Sequence, residues 1–193
     1  MNLLSESKLN LKPYRNYMLV GLLILAVYWT LVSRVPVNSA PQEEAPPSPR
    51  QGFSAPDFSA ELLDGGLITL SELRGQPVVL NVWATWCPPC RQEMPALEKI
   101  YNDFKGQGLV LVGLNLTSQD LEKSVVDFVQ EFGLSFPVAL DRDGTVQRKY
   151  KISGYPTTFF IDKEGIIRSV VVGGPMSAAL IQSKVEDLLT ETP

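Results

Sequence analysis

The chain has 193 residues, 45% of them hydrophobic, which suffices for one domain with a sizeable core plus an appendage. It has two cysteines and no histidine, so a structural zinc site, built from about four Cys and His ligands, has no ligand set within the chain. The net charge of −4 is unevenly spread: of 17 basic residues four lie at or before Arg34 and of 21 acidic residues one does, leaving 13 against 20 beyond it, a balance that excludes nucleic acid and an anionic lipid surface as partners of the body.

The first predicted element is a transmembrane helix over residues 16–33, where no charged residue occurs between Arg15 and Arg34. Roughly 18 residues at about 1.5 Å each reach about 27 Å, close to a hydrocarbon core of about 30 Å. Lys8, Lys12 and Arg15 precede the span, so residues 1–15 are expected to be a cytoplasmic tail and the remainder to be extracytoplasmic, in a periplasm or on the outer face. The alternative is a cleaved signal peptide. Its apolar region is usually about 7 to 15 residues and a small-x-small site follows; the best candidates here are Val37-Asn38-Ser39 and Asn38-Ser39-Ala40. Both readings export the domain. Residues 34–52 carry five prolines and no apolar periodicity, and are expected to be an extended linker ahead of a domain over 53–193.

From residue 53 the pattern alternates between strands and helices. Strands at 57–62 and 67–70 form a hairpin around Asp64-Gly65-Gly66, followed by a helical turn at 71–73. The apolar run 78–83 reads as a buried central strand, and a helix from about Cys87 carries Met94, Leu97, Ile100, Tyr101 and Phe104 at helical spacing until Gly106 and Gly108 end it. A strand over 109–116 follows, then a helix over 120–132 with Leu121, Val125, Phe128, Val129 and Phe132 on one face. Next come a strand at 137–140, a short helix at 146–150, strands at 157–161 and 166–172 about the turn Asp162-Lys163-Glu164-Gly165, and a helix over 176–189. That order implies an α/β fold, a mixed sheet covered on both faces.

Both cysteines fall in Trp86-Cys87-Pro88-Pro89-Cys90, at the junction of the central strand and the helix. Side chains at i and i+3 share a helix face. The partial positive charge at a helix start lowers a thiol pKa, and the thiolate is the attacking species. The pair therefore reads as a redox couple; a purely structural staple over so short a loop adds little stability. Pro88 and Pro89 sit where helical N–H groups would be orphans anyway, and they remove two donors that could have solvated the Cys87 thiolate. Pro95 is expected to kink the helix.

The order of elements, Trp83-Ala84-Thr85-Trp86-Cys87-Pro88-Pro89-Cys90-Arg91-Gln92-Glu93-Met94-Pro95 and Gly154-Tyr155-Pro156-Thr157-Thr158-Phe159-Phe160-Ile161-Asp162 resemble the thioredoxin-like fold. More closely, the chain resembles the membrane-anchored TlpA/ResA-type thiol-disulfide oxidoreductases, relatives of the reductants used in cytochrome c maturation. The resemblance implies that Cys87 is the nucleophile and Cys90 the resolving thiol. It implies that Pro156 is a cis-proline opposite the dithiol, where a trans proline opening an edge strand is the alternative. The backbone of Tyr155 is then free to pair with an extended substrate, with Trp86 as a substrate-facing rim and Trp83 as packing.

Thioredoxin has a buried carboxylate where this chain has Asn81, and an amide cannot take a proton from the resolving thiol. Glu93 is the nearest remaining acid, read first as a solvated carboxylate favoured by the helix dipole and second as a proton-transfer group. The lack of a histidine between the cysteines points to a reductant, while Arg91, one turn after Cys87, works the other way.

The expectation is a membrane-tethered, extracytoplasmic protein-disulfide reductase without cofactor or metal. Its partners are the thiols and disulfides of exported proteins, apocytochrome c among them, and a transmembrane electron donor. The rival readings are a disulfide oxidase or isomerase, a peroxiredoxin-like peroxidase (which wants a threonine where Ala84 stands), a thiolate copper carrier and a redox-inert docking module.

Overall fold

The computed structural model describes residues 12–33 and 46–190, which belong to two units, 1–44 and 45–193. The cytoplasmic tail expected ahead of residue 12 and the expected linker as far as residue 45 lie outside the described residues. In the first unit a helix, α1, runs Lys12–Val32 and exposes Leu22, Leu23, Ile24, Leu25 and Trp29. Among the described residues no helix is long and apolar enough to cross a membrane. The transmembrane element expected over 16–33 is thus a helix whose placement in a bilayer is not shown.

In the second unit β1 (Ser59–Leu62) and β2 (Leu67–Thr69) form the expected antiparallel hairpin. Gly65 and Gly66 close it at φ of 96° and 92°, a left-handed backbone that only glycine adopts without cost. The chain continues through β3 (Val78–Trp83), α2 (Pro88–Phe104), β4 (Val110–Asn115), α3 (Glu122–Phe132), β5 (Val138–Leu140), α4 (Thr145–Lys149), β6 (Thr157–Ile161), β7 (Ile167–Val172) and α5 (Ala178–Thr190). These boundaries fall within two residues of the spacing-based expectation, the usual uncertainty of fraying ends. Pro95 lies inside α2, which continues to Phe104.

The strands form one sheet in the order β2-β1-β5-β4-β3-β6-β7. β3 pairs parallel to β4 and β4 parallel to β5, while β6 pairs antiparallel to β3 and to β7. Successive side chains of β3 point to opposite faces. Val79 and Trp83 join an apolar cluster with α2, α3 and α5, whereas Val78, Leu80 and Val82 join a second with Phe58, Val146 and Tyr150. All six residues of β3 are buried, which is why its sequence is a continuous apolar run rather than an alternating one. The α/β mixed sheet covered on both faces is what the structure has.

One expectation needs correction. Leu121, placed on the buried face of α3, is 73% exposed, because the helix starts after it and Leu121 holds an extended backbone. Backbone hydrogen bonds also reach into the last residues of the expected linker: Ser48 N–H donates to Ser54 O, Gly52 N–H to Ile167 O and Ala55 N–H to Gly165 O, tying residues 48–55 together and to β7 and the turn ahead of it.

Candidate active site

The sheet pairing gathers the chemistry at one edge. β3 and β4 are parallel and end side by side at Trp83 and Asn115, and β6 begins at Thr157 beside Val82. The loops following β3, β4 and β5 and the loop leading into β6 therefore meet at the C-terminal ends of the parallel strands, where ligands bind in open α/β sheets.

Cys87 and Cys90 are joined as a disulfide. Cys87 is the N-cap of α2, with φ −88° and ψ 108°, and its sulfur accepts from the Cys90 N–H at 3.2 Å. Pro88 and Pro89 occupy the first two helical positions and have no N–H, so the third position supplies the capping donor. A helix start aimed at one sulfur favours negative charge there. Both cysteines are buried in the oxidised form, Cys87 at 3% exposure and Cys90 at 0%.

Arg91 does not face the dithiol as a free cation. Its guanidinium lies 5.0 Å over the rings of both Phe128 and Phe132 and pairs with Glu131. Trp83 is fully buried against Phe128, as packing, with ring centroids 4.6 Å apart.

Glu93 overturns the reading that ranked first for it. It is not a solvated carboxylate but has 0% exposure. Its Oε1 accepts from Asn81 Nδ2 at 2.8 Å and its Oε2 from the Met176 N–H at 3.1 Å, while Asn81 Nδ2 also donates to Thr158 Oγ1 at 2.8 Å. Burial raises the Glu93 pKa from its ordinary value of 4.5, partly offset by the hydrogen bonds from Met176 and Asn81. The signal lay in the sequence: Glu93 shares the spacing of Cys90, Met94, Leu97 and Ile100, the face of α2 that packs on the sheet. Position 81 thus supplies a donor that holds an acid coming from α2 instead of supplying the acid itself.

The Tyr155-Pro156 peptide is cis, and so is Gly174-Pro175, which the sequence reading missed. The segment 173–176 lies against Pro156: the Gly173 N–H donates to Pro156 O at 2.7 Å, and a Cβ built at Gly174 meets Pro156 Cγ at 2.7 Å and Glu93 Oε2 at 3.0 Å. A Gly174→Ala variant is expected to lose about 1–3 kcal/mol through overpacking. Denaturant unfolding checks this; a midpoint equal to that of the parent protein would mean the segment moves aside freely.

Trp86 is half exposed and stands edge-on to Tyr155, ring centroids 5.4 Å apart at 84°. With Thr85, Ser118, Gln119, Asp120 and Leu121 it lines a groove of about 470 Å³. Asp120, not singled out from sequence, pins this loop. Its carboxylate accepts from Thr85 N–H at 2.7 Å, Thr85 Oγ1 at 2.6 Å, Asn115 Nδ2 at 3.0 Å and the Leu121 N–H at 2.9 Å. An Asp before a periodic apolar stretch reads as a helix cap; here it ties the dithiol loop to the end of β4.

The AhpC/TSA family matches residues 52–170. In sequence the chain is similar to the thioredoxin-like protein YneN of Bacillus subtilis (strain 168), 42% identical over 125 residues that cover 64% of this chain and 72% of that protein. It is also similar to the thiol-disulfide oxidoreductase ResA of Oceanobacillus iheyensis, 40% identical over 147 residues, 74% of this chain and 72% of that protein. In structure it is similar to StoA from Bacillus subtilis, with a TM-score of 0.60 at 30% identity over 67% of this chain and 96% of that one. A thiol:disulfide interchange protein of the thioredoxin family from Chlorobium tepidum TLS gives a TM-score of 0.61 at 30% identity, covering 75% of this chain and 98% of that one.

Proposed function

The chain belongs to the AhpC/TSA family and, within it, to the ResA-type thiol-disulfide oxidoreductases of thioredoxin fold, and from that premise we propose that it reduces disulfides in exported proteins, apocytochrome c among them, while held at the membrane by its N-terminal helix. The observation that carries the chemistry is the Cys90 N–H aimed at the Cys87 sulfur at the start of α2. In the reduced protein the Cys87 thiolate attacks one sulfur of a substrate disulfide, forming a mixed disulfide and releasing one substrate thiolate. Cys90 then gives up its proton and attacks the Cys87 sulfur, releasing the second substrate thiolate and closing the enzyme disulfide. Two electrons pass from the dithiol to the substrate.

Glu93 lies one turn from Cys90 on the same face of α2, and a carboxylate whose proton affinity is raised by burial is suited to receive that proton. Trp86, Tyr155 and Pro156 frame the substrate, with the Tyr155 backbone as the pairing edge. Two prolines and no histidine between the cysteines leave the Cys87 thiolate without a side-chain donor, which favours the reductant's direction. Outside the membrane the surroundings oxidise thiols, so the dithiol is recharged by a transmembrane electron donor.

Support for the tether comes from α1: no charge lies between Arg15 and Arg34, and its apolar side chains are exposed to a degree that water disfavours. The basic residues before it support an extracytoplasmic orientation of the domain. A Cys90→Ser variant, expressed as the full chain in membranes, is expected to stall at the mixed disulfide and retain exported proteins that dithiothreitol releases. Capture of small thiols alone would sink the protein-substrate reading.

A further inference from the structure

Four residues from four different segments close a ring that takes in Trp86, the chain neighbour of Cys87, and Tyr155, the chain neighbour of Pro156. Trp86 Nε1 donates to the backbone oxygen of Gln119 at 2.9 Å. The side chain of Gln119 then donates from Nε2 to Gln147 Oε1 at 2.8 Å, and Gln147 Nε2 donates to the Tyr155 hydroxyl at 2.8 Å. Tyr155 returns to Trp86 through the edge-on aromatic contact.

The members come from the loop after β3, the turn after β4, helix α4 and the loop before β6, and no backbone ladder joins these segments. The glutamines are anchored in turn. The Gln119 N–H bonds to Leu116 O, and the Asp141 carboxylate accepts from the Gln147 N–H at 2.8 Å and the Val146 N–H at 3.1 Å. Gln147 uses both ends of its amide, one as acceptor and one as donor, so an apolar side chain there breaks two links at once.

The geometry points to Gln119 and Gln147 as positioning residues that pre-set the Trp86–Tyr155 pair as a platform for the polypeptide flanking a substrate cysteine. A half-exposed indole left free would have to be ordered on each binding event, and ordering a side chain at an interface weakens binding. With the ring closed, that ordering is already done before the substrate arrives. A small disulfide, which has no flanking chain, does not use the platform. This inference rests on the protein-disulfide reductase reading and says which part of its site distinguishes a polypeptide from a small molecule.

Gln147→Leu and Gln147→Glu separate positioning from mere presence. At neutral pH a glutamate carboxylate still accepts from Gln119 Nε2, and it accepts from the Tyr155 hydroxyl once that group turns to donate, so both links survive. Leucine makes neither. The test uses the pre-reduced full-length protein in single turnover against a disulfide-bonded peptide with apolar residues beside its cysteines, and against glutathione disulfide.

Gln147→Leu is expected to raise the half-saturating peptide concentration about 5- to 10-fold with little change in the maximal rate, and to leave the glutathione disulfide rate unchanged. Gln147→Glu is expected to keep the peptide value within about 2-fold of the parent. An unchanged peptide value in Gln147→Leu, an equal loss on glutathione disulfide, or a glutamate variant as weak as the leucine variant would each overturn the proposal. A parent protein that reduces neither disulfide would overturn the enzyme reading itself, a result distinct from all three.

Discussion

A Cys87→Ser variant is expected to lose disulfide reduction by roughly 10³-fold or more. A serine hydroxyl is not ionised near neutral pH and cannot enter an S–S bond, so the first step has no nucleophile. The fold should survive, because serine is itself a good N-cap and its oxygen can accept from the Cys90 N–H that the Cys87 sulfur now accepts. Single-turnover reduction of a peptide disulfide by the pre-reduced full chain reads the effect. Cys90→Ser should instead complete the first step and accumulate a mixed disulfide. If Cys87→Ser forms the mixed disulfide and Cys90→Ser does not, the assigned order of attack is reversed.

Glu93→Gln carries the second large effect. The substitution keeps the side-chain volume and removes the titration, and the second step, in which Cys90 must lose a proton, is expected to slow about 10²-fold. The mixed disulfide should then be visible in the otherwise intact enzyme. Stability adds an independent readout whose sign is fixed. Burial raises the Glu93 pKa above 4.5, so between 4.5 and the raised value the native protein holds a proton that the unfolded chain has released. Unfolding free energy therefore falls as pH rises through that window, and stability from this group is complete only below it. Glutamine has no such slope, so the variant should gain on the parent protein as pH increases. Parallel stability curves for the two proteins would mean that Glu93 does not titrate in the native state differently from the unfolded chain.

The strands and helices were legible because their signals are local. Residues 78–83 are apolar without interruption, and the matching element is a strand buried on both faces. The face of α2 that meets the sheet repeats at i, i+3 and i+4 from Cys90 to Phe104. The same rule placed Leu121 wrongly, because periodicity cannot see that Asp120 is drawn to Thr85 and Asn115 and delays the helix. Glu93 shows the opposite failure. The preference of carboxylates for water at a helix start predicts a solvated side chain, whereas its place in the apolar stripe of α2 and its partners Asn81 and Met176 bury it.

What the amino-acid sequence determined alone is the dithiol and its setting: two thiols at i and i+3, two prolines without N–H groups between them, a strand before and a helix after. Those features are spelled within a few consecutive residues, where spacing and backbone chemistry suffice. The tertiary structure alone decided which groups surround the dithiol. Asn81 meets Thr158 across 77 positions and Glu93 meets the Met176 N–H across 83, while the ring from Trp86 to Tyr155 spans four segments. Such partners are chosen by the order in which strands pair, and that order follows from burying both faces of one sheet at once.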